Sequence, residues 1–130
     1  MTYELNLNEI LGEIGAAAYE AAALERVEMA QINKLIEILE VTKSIDETLI
    51  FLARQVARGY WGRRGMSSSA HRLFNLLKGR KLEEAKVILG LFKWIYEAVD
   101  RSKPRHYRPP RTPSKDYTYE LLRKCIYRGG

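Results

Sequence analysis

Residues 82–99, LEEAKVILGLFKWIYEAV, decide the fold class. Leu82, Ala85, Leu89, Phe92, Tyr96 and Val99 recur at steps of 3, 4, 3, 4 and 3, the repeat of one helix face. Val87, Ile88, Leu91, Trp94 and Ile95 widen that stripe almost all round, so a helix over about 81–101 is expected near the centre of a bundle.

The sequence on either side is also helical in pattern. All four prolines fall in one window, Pro104, Pro109, Pro110 and Pro113, so residues 2–103 lack the strongest helix breaker. Ile10, Ile14, Ala17, Ala21 and Leu24 follow steps of 4, 3, 4 and 3. Asn6 and Glu9 have capping-box spacing, which opens a first helix. Its stretch GAAAYEAAA, residues 15–23, is small enough for a neighbouring helix to approach closely. Ile32, Leu35, Ile36 and Leu39 mark a second stretch, either a continuation of the first or a separate helix. Ser44 with Glu47 opens a third that carries Ile45, Leu49, Leu52, Ala53 and Val56 and stops at Gly59.

Residues 59–66, GYWGRRGM, read as a loop, because three glycines make a helix there costly. Ser67, Ser68 and Ser69 offer an N-cap for a short fourth helix with Leu73, Phe74 and Leu77, ended by Gly79. Residues 101–115 hold six basic side chains, no acidic one and all the prolines, and are expected to be extended. Asp116 is placed to cap a last helix over 116–130, through Leu121, Leu122 and Ile126. Nothing reads as a strand pair. The expectation is all-α: one domain over 1–130, a compact bundle of five or six helices with a basic proline-rich segment before the last. A chain of 130 residues, 46% hydrophobic and 29% charged, is long enough for one core.

Composition excludes several classes. One cysteine, Cys125, rules out an intramolecular disulfide and CxxC-type metal or redox sites. Two histidines, His71 and His106, rule out a His-rich zinc centre, so no metal or cofactor is expected. There is no run of about 18 apolar residues for a membrane span. The acidic, polar start MTYELNLNE argues against a secretory signal, which points to the cytoplasm. Thirteen Glu against three Asp, with few Asn and Gln, leans toward a thermophile.

Charge is segregated. Residues 1–50 carry 3 basic and 10 acidic side chains, and residues 51–130 carry 19 basic and 6 acidic. A net of −7 followed by +13 points to a polyanionic partner for the basic part. The basic signal is strongest in ARQVARGYWGRRG, residues 53–65. Arg54 and Arg58 share a helix face, and Arg63 and Arg64 follow in the loop, with Tyr60 and Trp61 between the pairs. Guanidinium groups suit phosphate because they donate two parallel hydrogen bonds. Aromatic rings suit unpaired bases, and glycines admit a phosphate to the backbone. The competing reading is a solvated arginine face, helix-end cations and two core aromatics. Arg72 follows in the next helix, and Lys78, Arg80 and Lys81 cluster around Gly79. Arg101, Lys103, Arg105, Arg108, Arg111 and Lys115 form a third cluster, either a nucleic-acid-binding arm or a solvated linker.

Catalytic patterns are thin. Glu83 with Lys86 and Lys93 with Glu97 are ordinary surface pairs, and Cys125 reads as a small buried hydrophobe. Arg101 and His106 have the Arg-x4-His spacing of HEPN-class helical ribonucleases, and Arg64 and His71 are separated by six residues. In such a site the histidine is acid or base and the arginine stabilises phosphoryl charge. Here Ser102 and Gly65 stand where that class usually has a polar Asn, Asp or His, and Pro104 interrupts the first pair. A helix-turn-helix DNA binder, with 45–58 as first helix and 69–78 as reader, is the other alternative. Its connection is longer than the usual 3–4 residues.

A short helical chain with an acidic first part and the basic turn QVARGYWGRR, residues 55–64, resembles the small subunits of CRISPR interference complexes, those of archaeal type I-A Cascade most closely. The resemblance covers about residues 1–103 in architecture and 54–81 in character. It implies a non-catalytic, sequence-independent role on the guide–target duplex (crRNA paired with DNA) or on the displaced single strand. It implies other subunits of a ribonucleoprotein and further copies of the chain as partners, with no membrane. Arg54, Arg58, Arg63 and Arg64 would then be phosphate contacts. Acidic residues such as Glu9, Glu13 and Glu20 would face the basic surface of the next copy.

Overall fold

In the computed structural model, residues 5–63, 65–104 and 106–129 are described. They form six α-helices and, among the described residues, no strand: α1 Leu7–Tyr19, α2 Met29–Thr42, α3 Ile45–Ala57, α4 Ser68–Leu77, α5 Leu82–Ser102 and α6 Lys115–Gly129.

Local chemistry sets most of the helix ends. Asn6 caps α1 by accepting the Asn8 N–H at 3.0 Å. Glu9 meets the Asn6 side-chain amide at 3.2 Å, in place of the backbone contact a full capping box makes. Ser44 Oγ accepts the Glu47 N–H at 3.1 Å and starts α3. At the other end of α3, Gly59 N–H bonds to Val56 O at 3.0 Å and Tyr60 N–H to Gln55 O at 2.8 Å. Those two bonds are a Schellman closure, which needs the left-handed φ of +77° at Gly59.

The first helical stretch does not simply run on. After Tyr19 it widens into a π-helical turn, Glu20–Leu24. It ends where Val27 N–H bonds back to Ala21 O at 2.8 Å and Arg26 adopts φ +57°. No glycine or proline marks this break, so α2 is a separate helix whose start is silent in the sequence.

The centre of the bundle is α1, which packs against α4, α5 and α6. Ile14, Ala16, Ala17, Ala18 and Ala21 are fully buried. The small side chains work as expected: a Cβ at Gly12 would lie 2.2 Å from Pro113 O, and one at Gly15 would lie 2.0 Å from Thr118 Oγ1. There α6 presses against α1, and Thr118 Oγ1 donates to Leu11 O at 2.9 Å. α5 is central as expected, packing against α1, α2, α4 and α6, but its apolar stripe does not close all round: one face is wet, with Trp94 71% exposed. Phe74 and Ile126, read as apolar contacts, also face outward, while Tyr117, Leu121 and Cys125 carry the α6 contact. Asp116 sits in the first turn of α6 rather than capping it.

The proline-rich segment is not a free arm. Pro104 and Pro113 are buried. The Tyr107 ring stacks on Tyr117 with centroids 4.7 Å apart, and its N–H donates to Tyr19 Oη at 3.2 Å. Arg72 donates to the carbonyls of Pro110 and Arg111 at 3.1 and 3.3 Å. No helix among the described residues is long and apolar enough to cross a membrane.

Close packing at Gly15 yields a paired prediction. Gly15→Ala should lower stability by about 1–3 kcal/mol, the usual cost of overpacking. Gly90→Ala, in mid-α5 with nothing within 4 Å of the added Cβ, should raise it by about 0.5–1 kcal/mol. Urea unfolding of both variants checks the pair.

Candidate nucleic-acid interface

The glycine loop between α3 and α4 is built on one buried carboxylate. Glu25, 1% exposed, lies just past the π-helical turn. Its Oε2 accepts the Ser69 N–H at 3.0 Å, and its Oε1 accepts Ser69 Oγ–H. Trp61 Nε1 in turn donates to Ser69 Oγ at 2.9 Å. The Glu25 carbonyl accepts the Arg63 N–H at 2.8 Å. A Cβ at Gly62, whose φ is +79°, would sit 2.7 Å from that carbonyl, so the loop can pass only as glycine. One residue of the first helical stretch thus holds the loop at two points and satisfies the open N-terminus of α4, where a negative charge is also favoured by the helix dipole.

Burial pushes the Glu25 pKa above its ordinary value of 4.5. The Ser69 hydrogen bonds pull it down, and the nearby Glu20 pushes it further up. Desolvation is the largest effect, and among the described residues no cation pairs with the carboxylate to offset it.

On this base the basic residues face outward. Arg54, Arg58 and Arg63 are exposed. The Arg58 guanidinium lies 4.7 Å from the centroid of the Tyr60 ring, and its Nη2 donates to Tyr60 Oη at 3.2 Å. Tyr60 is itself 50% exposed, so one face of a cation–aromatic unit meets solvent. Among the described residues none of these three arginines pairs with a carboxylate. A groove of about 350 Å³ runs beside them, lined by Arg26, Glu28, Gln31, Tyr60 and Arg63 among others. Lys78 and Lys81 are exposed near the end of α4, while Arg80 turns back to donate to Leu76 O at 3.0 Å and helps close the helix. Arg108 and Arg111 are exposed on the anchored proline segment. Arg64 and Arg105, also expected at the site, lie outside the described residues.

Two expected site residues are placed elsewhere. Trp61 is 2% exposed and hydrogen-bonded inside the loop, so it cannot stack on a base. Arg72 is folded inward, its side chain 14% exposed, with Nη1 2.8 Å from Glu13 and Nε 2.8 Å from Glu20. Its two carbonyl contacts complete a clamp that ties α1, α4 and the proline segment together. The same clamp takes Glu13 and Glu20 out of the acidic surface that was expected to face another copy. Ser69, offered with Ser67 and Ser68 as an N-cap, lies inside α4 and donates its hydroxyl to Glu25, while Ser67 holds the cap position without a side-chain hydrogen bond. Arg101, His106 and His71 are all exposed. Among the described residues no cluster of His, Cys, Asp or Glu could hold a metal.

Glu25 was not visible in advance. It is one of ten acidic residues in the first fifty, and its hydrogen-bond partner Ser69, with Trp61 bonded to Ser69 in turn, is distant in sequence. No protein-family model, curated protein or solved structure matches this chain.

The raised Glu25 pKa fixes the sign of a pH effect. A carboxyl with a higher pKa folded than unfolded stabilises most below the unfolded value, and that contribution is lost as pH rises through the folded one. Against Glu25→Gln, wild type should therefore lose stability as pH climbs from about 4.5. The gap should level off once the folded pKa is passed. Denaturant midpoints of both proteins across that range check it; a flat or rising difference would contradict the assignment.

Proposed function

We propose that this chain binds nucleic acid through the phosphate backbone, without reading sequence and without catalysis. The observation that supports this is the contrast among its arginines. Arg72 is neutralised by two carboxylates, whereas Arg54, Arg58 and Arg63 stand exposed and unpaired with any carboxylate among the described residues, around a pinned loop. Cations held on a fixed frame meet phosphates at little ordering cost, and the exposed half of Tyr60 adds a stacking surface for an unpaired base. Lys78, Lys81, Arg108 and Arg111 extend the charge. The resemblance to CRISPR small subunits supplies the proposed setting: a guide–target duplex or displaced strand within a ribonucleoprotein, alongside other subunits and further copies.

The helix-turn-helix alternative fits less well. A reader helix presents its N-terminal residues to base edges. Here Ser69, in the first turn of α4, is fully buried against Glu25.

Alanine at Arg54, Arg58 and Arg63 together should weaken binding to unrelated sequences about equally. The slope of log affinity against log salt should shrink by roughly 0.7 per lost contact on a single strand, or about 0.9 on a duplex. An unchanged slope would remove the assignment. In the same incubations RNA should stay intact with or without divalent metal. Cleavage lost in both Arg101→Ala and His106→Ala would favour the HEPN-like alternative.

A further inference from the structure

A cavity of about 590 Å³ opens where the π-helical turn meets the end of α5. That is within the range of roughly 300–1,000 Å³ usual for small-molecule sites. Ala22, Ala23, Val27 and Val99 give it small apolar walls. Tyr19 and Tyr96 also line it, and both hydroxyls are already engaged by backbone: Tyr96 donates to Val27 O, and Tyr19 accepts from Tyr107 N–H. The polar rim consists of two carboxylates, Glu28 and Asp100, and three basic residues, Arg26, Lys103 and His106.

Those three basic residues share a backbone feature. Their φ values are +57°, +52° and +54°. The left-handed region strains a residue with a Cβ and leaves glycine unstrained. This chain does use glycine for such positions at Gly59, Gly62, Gly65 and Gly79. Of the described non-glycine residues with positive φ, Lys43 alone lies away from this cavity. At three places where glycine would sit more easily, a basic side chain is kept at the rim of one cavity. Backbone strain of this kind clusters at functional sites, and here it gathers beside the π-helical turn that ends the first helical stretch.

We infer that this cavity receives one unstacked nucleotide of a bound strand. The apolar walls suit the face of a base. Asp100 and Glu28 accept hydrogen bonds from ring and exocyclic N–H groups on a base edge, as carboxylates do with cytosine. Lys103, His106 and Arg26 supply donors for the attached phosphate. A strand is favoured as the source because Arg26 and Glu28 line both this cavity and the groove beside Tyr60 and Arg63. The two sites adjoin through shared residues, so a backbone lying on the arginine face has a short path for one base to leave the stack. The arrival of a strand rests on the function proposed above; the cavity's chemistry also fits a free nucleoside monophosphate.

The test uses Lys103→Gly and His106→Gly, singly and combined, because both residues line the cavity and neither lines the groove beside Tyr60 and Arg63. Relief of strain keeps the melting temperature of these variants at or above wild type. The probe is a short single strand carrying 2-aminopurine, whose fluorescence rises when it unstacks. Wild type should bind the strand and brighten it; the double glycine variant should still bind but lose most of the brightening. Binding without brightening, or brightening indifferent to the glycine changes, overturns the inference. Should no strand bind at all, the arginine-face reading fails by itself, and calorimetry with the nucleoside monophosphates and with inorganic phosphate decides the cavity. Saturable nucleotide binding that weakens at least about tenfold in the glycine variants (about 1.4 kcal/mol) keeps the site with a free nucleotide as ligand. No nucleotide binding, or binding matched by phosphate alone, removes it.

Discussion

The buried carboxylate of Glu25 is the constraint on which the rest of the molecule depends. Among the described residues it has no cation to pair with; Ser69 supplies two hydrogen bonds and the N-terminal dipole of α4 adds a favourable field, and these offset the cost of its burial. Removing it leaves the Ser69 amide without a partner, at about 1–3 kcal/mol for a buried donor, and unties Ser69 Oγ from the chain that holds Trp61. More is at stake than stability. The same residue's carbonyl holds Arg63 N–H, so the loop that carries Arg63, next to Arg54 and Arg58 at the end of α3, takes its position from the residue that follows the π-helical turn at the end of α1. The π-helical turn that ends the central helix and the direction of a surface cation are thus linked through one side chain and its own backbone.

The second organising feature is the smallness of α1. Gly12 lets the backbone at Pro113 and Ser114, and Gly15 lets α6, come so close that no Cβ would fit, and Arg72 then closes the far side by pairing Glu13 and Glu20 and gripping the proline segment. These contacts decide how the charge of the chain is used. The segregation in the sequence is partly an internal matter, since two of the acidic residues neutralise one basic residue across the bundle. Among the described residues Arg54, Arg58 and Arg63, on α3 and its loop, pair with no carboxylate, and they support the proposed contact with phosphate.

Much of the helical order could be read from residue spacing, because amphipathic repeats and turn chemistry are local. Ser44, Gly59 and Gly79 mark their helix boundaries for reasons that lie within four residues. The break after α1 could not be read, since Arg26 adopts a left-handed conformation in a run with neither glycine nor proline. At the site, Arg54, Arg58, Tyr60 and Arg63 were legible because helix register and glycine content place them outside. Trp61 and Arg72 were not. An aromatic residue in a polar loop and an arginine on a helix look alike in sequence whether they face water or a buried partner. The partners that turn them inward, Ser69 and Glu25 for one and Glu13 and Glu20 for the other, lie 8 to 59 residues away.

The central claim is that the arginine face acts because its loop is held by Glu25. Backbone hydrogen exchange combined with strand binding tests it most directly. In wild type, the amides of Arg63 and Ser69 should exchange slowly. In Glu25→Ala, with helical content retained by circular dichroism, both should lose protection, and affinity for single strands should fall about tenfold although every arginine is present (about 1.4 kcal/mol). Loss of protection with affinity unchanged would contradict the account, because the arginines would then bind as well on a loose loop as on a fixed one.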